Sequence, residues 1–358
     1  MKKIIYVSLI LIILIIGGYF IINQNENNEL NNPIQNITYE ESNIIKGPTE
    51  SVIKYKGLWL PFLEETQIAA NDIENLKENG INIVAIGIRL FATDENKNWE
   101  FTNLTEYENE TEILKAINTF HKNKIKTILI LNPAHGDFGV SPYPSENTGK
   151  PILEMLNPLV LKWAEIAEKY GVEIFCPTNE PALLASEEDI SVWAQEILPK
   201  IKNVYSGKTA FRVHNEGDDY PVYNIKGYDY VLPYVTHCSK DVDRGGGYLE
   251  HMKENNINNI IKIKQKYPNY RYIFFEVAAY TGPDYYWWEP IAPANMKNNA
   301  WDLEEDFMVV SEDGQAKCFE LFFDLGWNET DGYLITTAKG FEFKNKPAEL
   351  IIREWYNK

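Results

Sequence analysis

Short apolar runs, rich in β-branched and aromatic residues, alternate with amphipathic stretches from about residue 53 to the C terminus. The runs are Tyr55 to Leu60, Ile83 to Arg89, Lys126 to Leu131, Val172 to Cys176, Thr209 to His214, Tyr228 to Val235, Tyr272 to Phe275 and Gly332 to Thr337. Their length and composition predict eight buried strands. The stretches between them predict helices over about 66–79, 107–123, 151–170, 186–204, 248–266, 311–325 and 348–356.

Regular alternation of strands and helices implies right-handed crossovers and a parallel sheet. Eight strand–helix units within residues 53–358 are typical of a (β/α)8 TIM barrel, for which about 250 residues is usual. A doubly wound sheet is the alternative architecture. It is disfavoured because no Gly-x-Gly-x-x-Gly follows the first strand and no phosphate-binding loop occurs in the chain.

The first 22 residues carry a different pattern. Lys2 and Lys3 precede the run 4–22, which is apolar apart from Ser8, a glycine pair and two tyrosines. This length suffices to cross a bilayer, and the two lysines place the N terminus in the cytoplasm. We therefore expect a membrane anchor over 1–22, a polar linker over 23–52 and a catalytic domain over 53–358 outside the cell. A cleaved signal peptide, giving a secreted protein, is the competing interpretation.

The overall composition narrows the choice of partners. The 34 Lys and Arg residues face 52 Asp and Glu residues, giving a formal net charge of −18. Nucleic acid is disfavoured as a partner because its phosphates require a basic surface. Cysteine is present only as Cys176, Cys238 and Cys318. Their wide spacing and odd number indicate no disulfide framework, so we expect buried, unpaired thiols.

Two glutamates follow predicted strands at positions where a barrel places its chemistry. Glu180 follows the fourth run within Asn179-Glu180-Pro181, and Glu276 follows the apolar end of the seventh run. Carboxylates are costly beside buried apolar strands unless they are paired or functional. Strands four and seven face each other across a narrow barrel mouth. We therefore expect the two carboxylates about 5 Å apart, the spacing used by retaining glycosidases.

With these motifs the chain resembles the clan A glycoside hydrolases, a barrel superfamily that contains many cellulases, β-mannanases and β-galactanases. The resemblance covers residues 53–358. It implies that Glu180 is the acid/base and Glu276 the nucleophile. It also implies that Asn179 binds the 2-hydroxyl of the sugar at the cleavage point. The implied substrate is an oligosaccharide or polysaccharide with β-glycosidic bonds, and no cofactor is implied.

Three further site residues are implied by the same resemblance. Arg89, at the end of the second predicted strand, is similar to an arginine that supports the nucleophile. Tyr234, late in the sixth, resembles a tyrosine that hydrogen-bonds the nucleophile. His135, just after the third, is similar to a sugar-binding histidine.

The chain departs from the superfamily at its eighth predicted strand. Members commonly carry a tryptophan there as a platform beneath the sugar, whereas this strand reads Tyr333-Leu334-Ile335-Thr336-Thr337-Ala338. Aromatic residues after the seventh strand offer a substitute, either Tyr280 or the Tyr285-Tyr286-Trp287-Trp288 cluster. Of these we assign Trp288 to substrate binding. The alternative is that these rings pack the loop against the barrel.

Two alternative functions remain open from the sequence. His214 and His237-Cys238 follow predicted strands, so a metal-dependent hydrolase was considered. The first strand lacks the His-x-His pair usual in zinc hydrolases on barrels, and His214 is better interpreted as a polar wall of the cleft. No metal site is therefore predicted. The second alternative is a non-catalytic carbohydrate-binding surface protein on the same fold.

Overall fold

The structure is a computed structural model of the chain. It describes residues 44–48, 54–93, 103–106, 109–135, 149–214, 219–236, 238, 246–278, 280–281, 308–309, 311–337 and 342–358. By its internal contacts, Ile44–Lys358 forms one compact unit.

Parallel strands dominate this unit. The strands are β1 (Tyr55–Leu60), β2 (Ile83–Thr93), β3 (Asn103–Glu106), β4 (Lys126–His135), β5 (Ile174–Cys176), β6 (Lys208–Val213), β7 (Tyr230–Pro233), β8 (Arg271–Tyr272), β9 (Phe274–Val277), β10 (Tyr280–Thr281), β11 (Met308–Val309) and β12 (Gly332–Thr336). Among the described residues, nine parallel strands pair in the order β8-β7-β6-β5-β4-β2-β1-β12-β9. β3 pairs antiparallel with the C-terminal end of β2. β10 and β11 form a separate two-stranded sheet.

The sheet curls into a nearly closed barrel because its first and last strands, β8 and β9, are consecutive parts of one segment, residues 271–277. Only Ile273 separates β8 from β9, and its N–H donates to Val231 O on β7 at 3.1 Å. β8 therefore pairs with β7 while β9 pairs with β12. The predicted (β/α)8 barrel is confirmed in this form.

Helices follow the strands as the sequence predicts. They are α1 (Leu63–Asn71), α2 (Ile73–Glu78), α3 (Glu110–Lys122), α4 (Gly149–Tyr170), α5 (Glu187–Val204), α6 (Gly247–Lys266), α7 (Glu312–Gly326) and α8 (Pro347–Tyr356). Polar N-caps fix where several begin: the side chains of Asn109, Ser186 and Ser311 accept backbone N–H groups of α3, α5 and α7.

The barrel interior is filled by alternate residues of each strand, since successive side chains point to opposite faces. The pairs Ile83/Ala85, Ile128/Ile130, Ile174/Cys176, Tyr230/Leu232 and Ile273/Phe275 belong to this buried cluster. Trp59 also lies there, with its ring centroid 4.8 Å from that of Phe275. The interior is therefore a packed core, which restricts ligand binding to the ends of the barrel.

A polar cluster closes the N-terminal end of the barrel. Glu173, which precedes β5, accepts hydrogen bonds from Lys126 Nζ at 2.7 Å, Lys208 Nζ at 2.6 Å and Tyr55 OH at 2.7 Å. Burial alone would raise the pKa of Glu173, but these hydrogen bonds outweigh it and lower the pKa. Because this end is filled, the C-terminal ends of the strands remain for chemistry.

Part of the predicted linker packs on the barrel. Ile45 N–H donates to Asn118 Oδ1 at 2.7 Å, Gly47 N–H donates to Tyr170 O at 2.8 Å, and Pro48 O accepts from Lys126 Nζ at 2.8 Å. Residues 44–48 thus belong to the compact unit.

The predicted membrane span, residues 4–22, lies outside the described residues. Within the part of the chain that the structure describes, no helix has the length and apolarity needed to cross a bilayer.

The cysteines correct one expectation. All three are buried as predicted, but Cys238 and Cys318 form a disulfide across 80 residues of sequence, with their Cα atoms 6.0 Å apart. Only Cys176 is a free thiol. The expectation of unpaired thiols is wrong for the other two, because the fold brings distant segments together and sequence spacing does not record this.

Candidate active site

Glu180 stands at the exit of β5 on a short, tightly held segment. The N–H of Asn179 donates to Leu131 O on β4 at 2.7 Å, so β4 fixes the segment after β5. Glu180 then adopts a left-handed backbone with φ +44°, and Pro181 begins a short 3-10 turn, Pro181–Leu183. The turn redirects the chain and leaves the Glu180 side chain at the C-terminal end of the barrel.

Glu276 occupies a bulge in β9. Leu334 of β12 pairs with Phe275, but the next residue, Ile335, pairs with Val277. Glu276 is therefore the extra residue of the bulge, and its φ is +56°. Bulges re-aim a side chain at a strand end, which takes Glu276 out of the alternation that buries its neighbours.

Both glutamates share an uncommon backbone conformation. Among the described non-glycine residues, positive φ occurs at Lys124, Glu180, Glu276 and Asn345. Such a conformation costs about 1–3 kcal/mol at a non-glycine residue and concentrates at functional sites. It independently marks the two residues that the sequence singled out.

Arg212 joins the two segments. It is fully buried near the C-terminal end of β6. Its Nη2 donates to Glu276 Oε2 at 2.8 Å, and its Nε donates to Asn179 Oδ1 at 3.2 Å. Its Nη1 donates to Leu232 O at 3.1 Å. One guanidinium thus contacts the carboxylate of Glu276 and the residue immediately before Glu180.

These contacts also fix the amide of Asn179. Its Oδ1 accepts from Arg212, while its Nδ2 donates to Asn132 Oδ1 at 3.2 Å. The amide is therefore oriented from both sides. This leaves its second N–H available to donate to a ligand hydroxyl.

The charges around Glu180 and Glu276 act differently on the pKa values of their two carboxyl groups. Burial, reinforced by repulsion from the charge of Glu276, raises the pKa of Glu180 to about 7, against the lowering effect of Arg212. Burial also raises the pKa of Glu276, but both the charge and the hydrogen bond of Arg212 oppose that rise. Because only Glu276 is ion-paired with Arg212, it is the group that loses its proton first, and Glu180 holds a proton near neutral pH.

Tyr234 and His214 form one wall beside Glu276. Tyr234 is buried just after β7, and its ring stacks on that of His214 with centroids 5.3 Å apart. Burial and then the charge of Glu276 raise the pKa of the Tyr234 hydroxyl, which stays protonated as a hydrogen-bond donor. The structure thus brings both predicted residues to the site.

Arg212, which the sequence analysis did not single out, supports Glu276, and the predicted support of the nucleophile by Arg89 stays a prediction. The Arg89 guanidinium lies over the Phe62 ring, 5.0 Å from its centroid, while Arg212 forms the ion pair with Glu276. His135 is the last residue of β4, and its side chain lies outside the described part of the structure. Trp288 and the cluster 285–288 also lie outside it. The described part of β12 carries no tryptophan, as its sequence states.

Sequence reasoning missed Arg212, although a signal was present. Arg212 lies within the apolar run Phe211-Arg212-Val213, and a buried charge requires a partner. Like Glu276, Arg212 carries a charge beside buried apolar residues, and the two residues are partners. No group of three or more His, Cys, Asp or Glu side chains with metal-binding geometry occurs among the described residues.

The site therefore presents one carboxylate ion-paired with a buried arginine, a second carboxyl group whose pKa is raised to about 7, and an oriented amide beside them. Residues 63–330 match the sequence profile of Glycoside Hydrolase Family 113. This match spans well over half of the chain. The chain belongs to this family. It is a glycosidase, and the predicted resemblance to clan A glycoside hydrolases is confirmed.

Solved glycoside hydrolase structures share the barrel fold of this chain at low sequence identity. A GH113 β-1,4-mannanase is 17% identical with a TM-score of 0.59, and the match covers 86% of this chain and 100% of that one. The GH113 β-mannanase AaManA from Alicyclobacillus acidocaldarius, in complex with ManMIm, is 15% identical with a TM-score of 0.57, covering 86% and 98%. The family 5 enzyme PbGH5A from Prevotella bryantii B14 is 11% identical with a TM-score of 0.55, covering 87% and 100%. No curated protein matches the chain significantly.

Proposed function

We propose that this family 113 protein is a retaining glycoside hydrolase that cleaves β-glycosidic bonds of an extracellular or cell-surface polysaccharide. In this proposal Glu276 is the nucleophile and Glu180 the acid/base. The observation that carries it is the ion pair between Arg212 and Glu276, which opposes the rise that burial gives to the pKa of Glu276, whereas the pKa of Glu180 is raised to about 7. A retaining mechanism needs one ionised and one protonated carboxyl group at the start.

The first step forms a covalent glycosyl-enzyme. A Glu276 carboxylate oxygen attacks the anomeric carbon, and the bond from that carbon to the leaving oxygen breaks. Glu180 transfers its proton to the leaving oxygen, so the leaving chain departs as a neutral alcohol. Arg212 supports this step by holding Glu276 ionised and by orienting the carboxylate.

The second step returns the enzyme to its starting state. Glu180, now ionised, accepts a proton from water as the water oxygen attacks the anomeric carbon. The ester bond to Glu276 breaks, which restores the Glu276 carboxylate and the protonated Glu180. Two inversions at the anomeric carbon give net retention.

Asn179 and the wall formed by Tyr234 and His214 position the sugar. The remaining N–H of Asn179 is available to the 2-hydroxyl, and its orientation is set by Arg212 and Asn132. In this proposal Tyr234, whose hydroxyl lies within the electrostatic influence of Glu276, donates to the nucleophile, and His214, stacked on Tyr234, lines the cleft. His135 and Trp288 keep the sugar-binding roles, and Arg89 the support of the nucleophile, that the resemblance implies for them, as part of this proposal.

The proposed substrate class is β-1,4-linked mannan. Family membership supports it, together with the two neighbouring family 113 structures, which are described as β-mannanases. The absence of a tryptophan from β12 means that the sugar is supported differently from the common clan A arrangement. We therefore include glucan and galactan in the test.

The test of the proposed function compares the wild-type chain with Glu180→Gln and Glu276→Gln on β-mannan, β-glucan and β-galactan. The wild type should release reducing ends from mannan, and both variants should lose at least about 10³-fold in kcat. Azide should partly rescue a Glu180 variant on an aryl glycoside, because azide needs no general base. Substantial activity in both variants would refute the assignment.

Two controls separate the alternative functions. A metal-dependent hydrolase would lose activity on chelation and regain it with zinc. A non-catalytic surface protein would bind the polysaccharide without releasing reducing ends. We expect neither outcome.

The proposed location is the outer face of the cell membrane, or the medium if the N-terminal segment is removed. The apolar run 4–22 behind two lysines supports it, and so does the Cys238–Cys318 disulfide, since disulfides persist in oxidising compartments. Protease added to intact cells should digest the catalytic body. Protection until the cells are lysed would contradict this location.

A further inference from the structure

The Cys238–Cys318 disulfide joins the active-site wall to a helix behind the barrel. Cys238 follows Tyr234 by four residues in the segment after β7, and Cys318 lies on the buried face of α7. Both cysteines are at most 2% exposed. The bond therefore tethers the chain shortly after Tyr234, and we name residues 234–236 together with Cys238 the wall segment.

We propose that this cross-link is a clasp that holds the wall segment in its catalytic position, so that full activity requires the oxidised cysteine pair. The inference rests on the proposed function, because it assigns the wall segment to the site of the glycosidase reaction. It adds a requirement for the Cys238–Cys318 disulfide, which neither family membership nor the arrangement of the two glutamates implies.

The noncovalent support of the wall segment lies near its start. Tyr220 OH donates to Tyr234 O at 2.5 Å, and Asn259 Nδ2 donates to Val235 O at 3.3 Å. Beyond Val235, a small cavity lies between the wall segment and α7, lined by Thr236, Phe322 and Leu325 among others. The disulfide adds a covalent restraint at Cys238, beyond the two residues that these hydrogen bonds hold.

The position of the clasp links it to the chemistry. Tyr234 stacks on His214 and lies close enough to Glu276 for the charge of that carboxylate to raise the pKa of its hydroxyl. Movement of the wall segment into the cavity would shift the Tyr234 hydroxyl relative to the nucleophile. A misplacement of this kind typically lowers the catalytic rate more than it alters folding.

Formation of the clasp follows ordinary thiol–disulfide exchange. One cysteine thiolate attacks a sulfur of an external disulfide, either a thiol–disulfide oxidoreductase or oxidised glutathione. The second cysteine thiolate then attacks the sulfur of the first cysteine in the mixed disulfide and releases the external partner as a thiol. The pair loses two electrons and two protons, and the external disulfide is reduced to two thiols. Burial of both sulfurs means that a reductant reaches the bond only when the segment opens.

Cys176 supplies an internal control. It is fully buried in the barrel interior, its Sγ donates to Thr178 O at 3.2 Å, and burial raises the pKa of its thiol to about 12. Its thiolate population at neutral pH is negligible, so it does not compete in exchange. Cys176→Ser should therefore leave the disulfide unchanged.

The experiment uses the full chain purified without reductant. Alkylation in denaturant should modify one cysteine before reduction and three after it. In Cys238→Ser/Cys318→Ser, the peptide covering 230–238 should exchange amide hydrogens at least about 10-fold faster than in wild type. The Tm should fall by about 5–10 °C, because a disulfide that closes a loop of 80 residues stabilises the fold mainly by lowering the entropy of the unfolded chain. The kcat on mannan should fall at least 5-fold with a smaller change in KM.

Reduction separates a structural effect of serine from loss of the bond. Wild type unfolded, reduced and refolded in the presence of reductant should match the double variant, whereas the double variant should not respond to reductant. Three alkylated cysteines before reduction would overturn the proposal. So would a double variant with unchanged kcat and unchanged exchange at 230–238. If oxidised wild type hydrolyses no β-glycan, the proposed function fails, while thiol count and exchange still decide whether the clasp exists.

Discussion

Arg212 Nη2 donates to Glu276 Oε2 at 2.8 Å, from a guanidinium that is entirely buried. A buried cation requires a partner, and a nucleophilic carboxylate requires a reason to stay ionised beside a second carboxyl group. The pair satisfies both requirements. Because the same guanidinium also contacts Asn179, it couples the segment after β5 to the bulge of β9.

Replacing Arg212 should impair the chemistry more than sugar binding. We expect Arg212→Gln to lower kcat by about 10²-fold, the size typical of losing one preorganised electrostatic contact. Arg212→Lys should restore part of this loss. The matched control is Arg271→Lys, whose ion pair with Asp331 is exposed at the other end of the barrel. Steady-state kinetics and circular dichroism check the prediction, and an unchanged kcat in a folded Arg212→Gln variant would contradict it.

The same substitution should move the acidic limb of the pH profile. Arg212 lowers the pKa of Glu276 through its charge and hydrogen bond, so removing it raises that pKa. The reaction needs Glu276 ionised, and the limb should therefore shift to higher pH in Arg212→Gln. A limb that stays in place would show that Arg212 does not control the ionisation of Glu276.

The alkaline limb should report the other carboxyl group. The pKa of Glu180 is raised to about 7, and its protonated form donates the proton to the leaving oxygen. The kcat should therefore fall as pH rises through about 7. An aryl glycoside with a good leaving group needs no proton in the first step, so the first-step rate should lose this limb. Pre-steady-state kinetics on both substrates test this, and an identical limb for both would contradict the assignment.

Neutralising Glu180 should stabilise the protein at alkaline pH. The folded pKa lies above the ordinary value of 4.5, so the folded protein holds the proton between about 4.5 and 7. The contribution of this group to stability is present below that window and is lost as pH rises through it. We expect Glu180→Gln to raise Tm by about 1–3 °C at pH 8 and less at pH 4. A decrease at pH 8 would contradict this account.

The polar cluster at the opposite end should affect stability and not catalysis. Glu173→Gln leaves Lys126 buried without its carboxylate, and breaking such a pair costs about 3–5 kcal/mol. The matched control is Glu74→Gln, whose partner Lys77 lies on an exposed helix surface and whose loss costs below about 1 kcal/mol. Denaturant unfolding measures both variants. We expect kcat to be unchanged in each, because Glu173 lies at the N-terminal end of β5.

The sequence predicted the barrel well because its strands carry a local signal. Every predicted run contains a strand of the sheet, and β1 matches its predicted bounds. The predicted strand bounds are wrong where pairing with a neighbouring strand sets the length of a strand. β2 and β4 continue to Thr93 and His135 because they pair with each other over this length, and β3 pairs with the end of β2. Such pairing is not encoded in the apolar pattern of one strand.

The sequence predicted those site residues that are charged and directly follow an apolar strand. Glu180 and Glu276 were found because a charge follows an apolar strand. Arg212 carries its charge inside a strand and was passed over, and its contact with Glu276 depends on the closure of the barrel. The disulfide depends on the same closure, since Cys238 and Cys318 are 80 residues apart in sequence.

The stereochemistry of the first product tests the central claim most directly. Proton NMR of a β-linked oligosaccharide during hydrolysis should show the β-anomer of the new reducing end first, with the α-anomer appearing later by mutarotation. This order follows from two displacements at one carbon, with Glu276 as the nucleophile of the first. Initial appearance of the α-anomer would show a single displacement by water and would contradict the account.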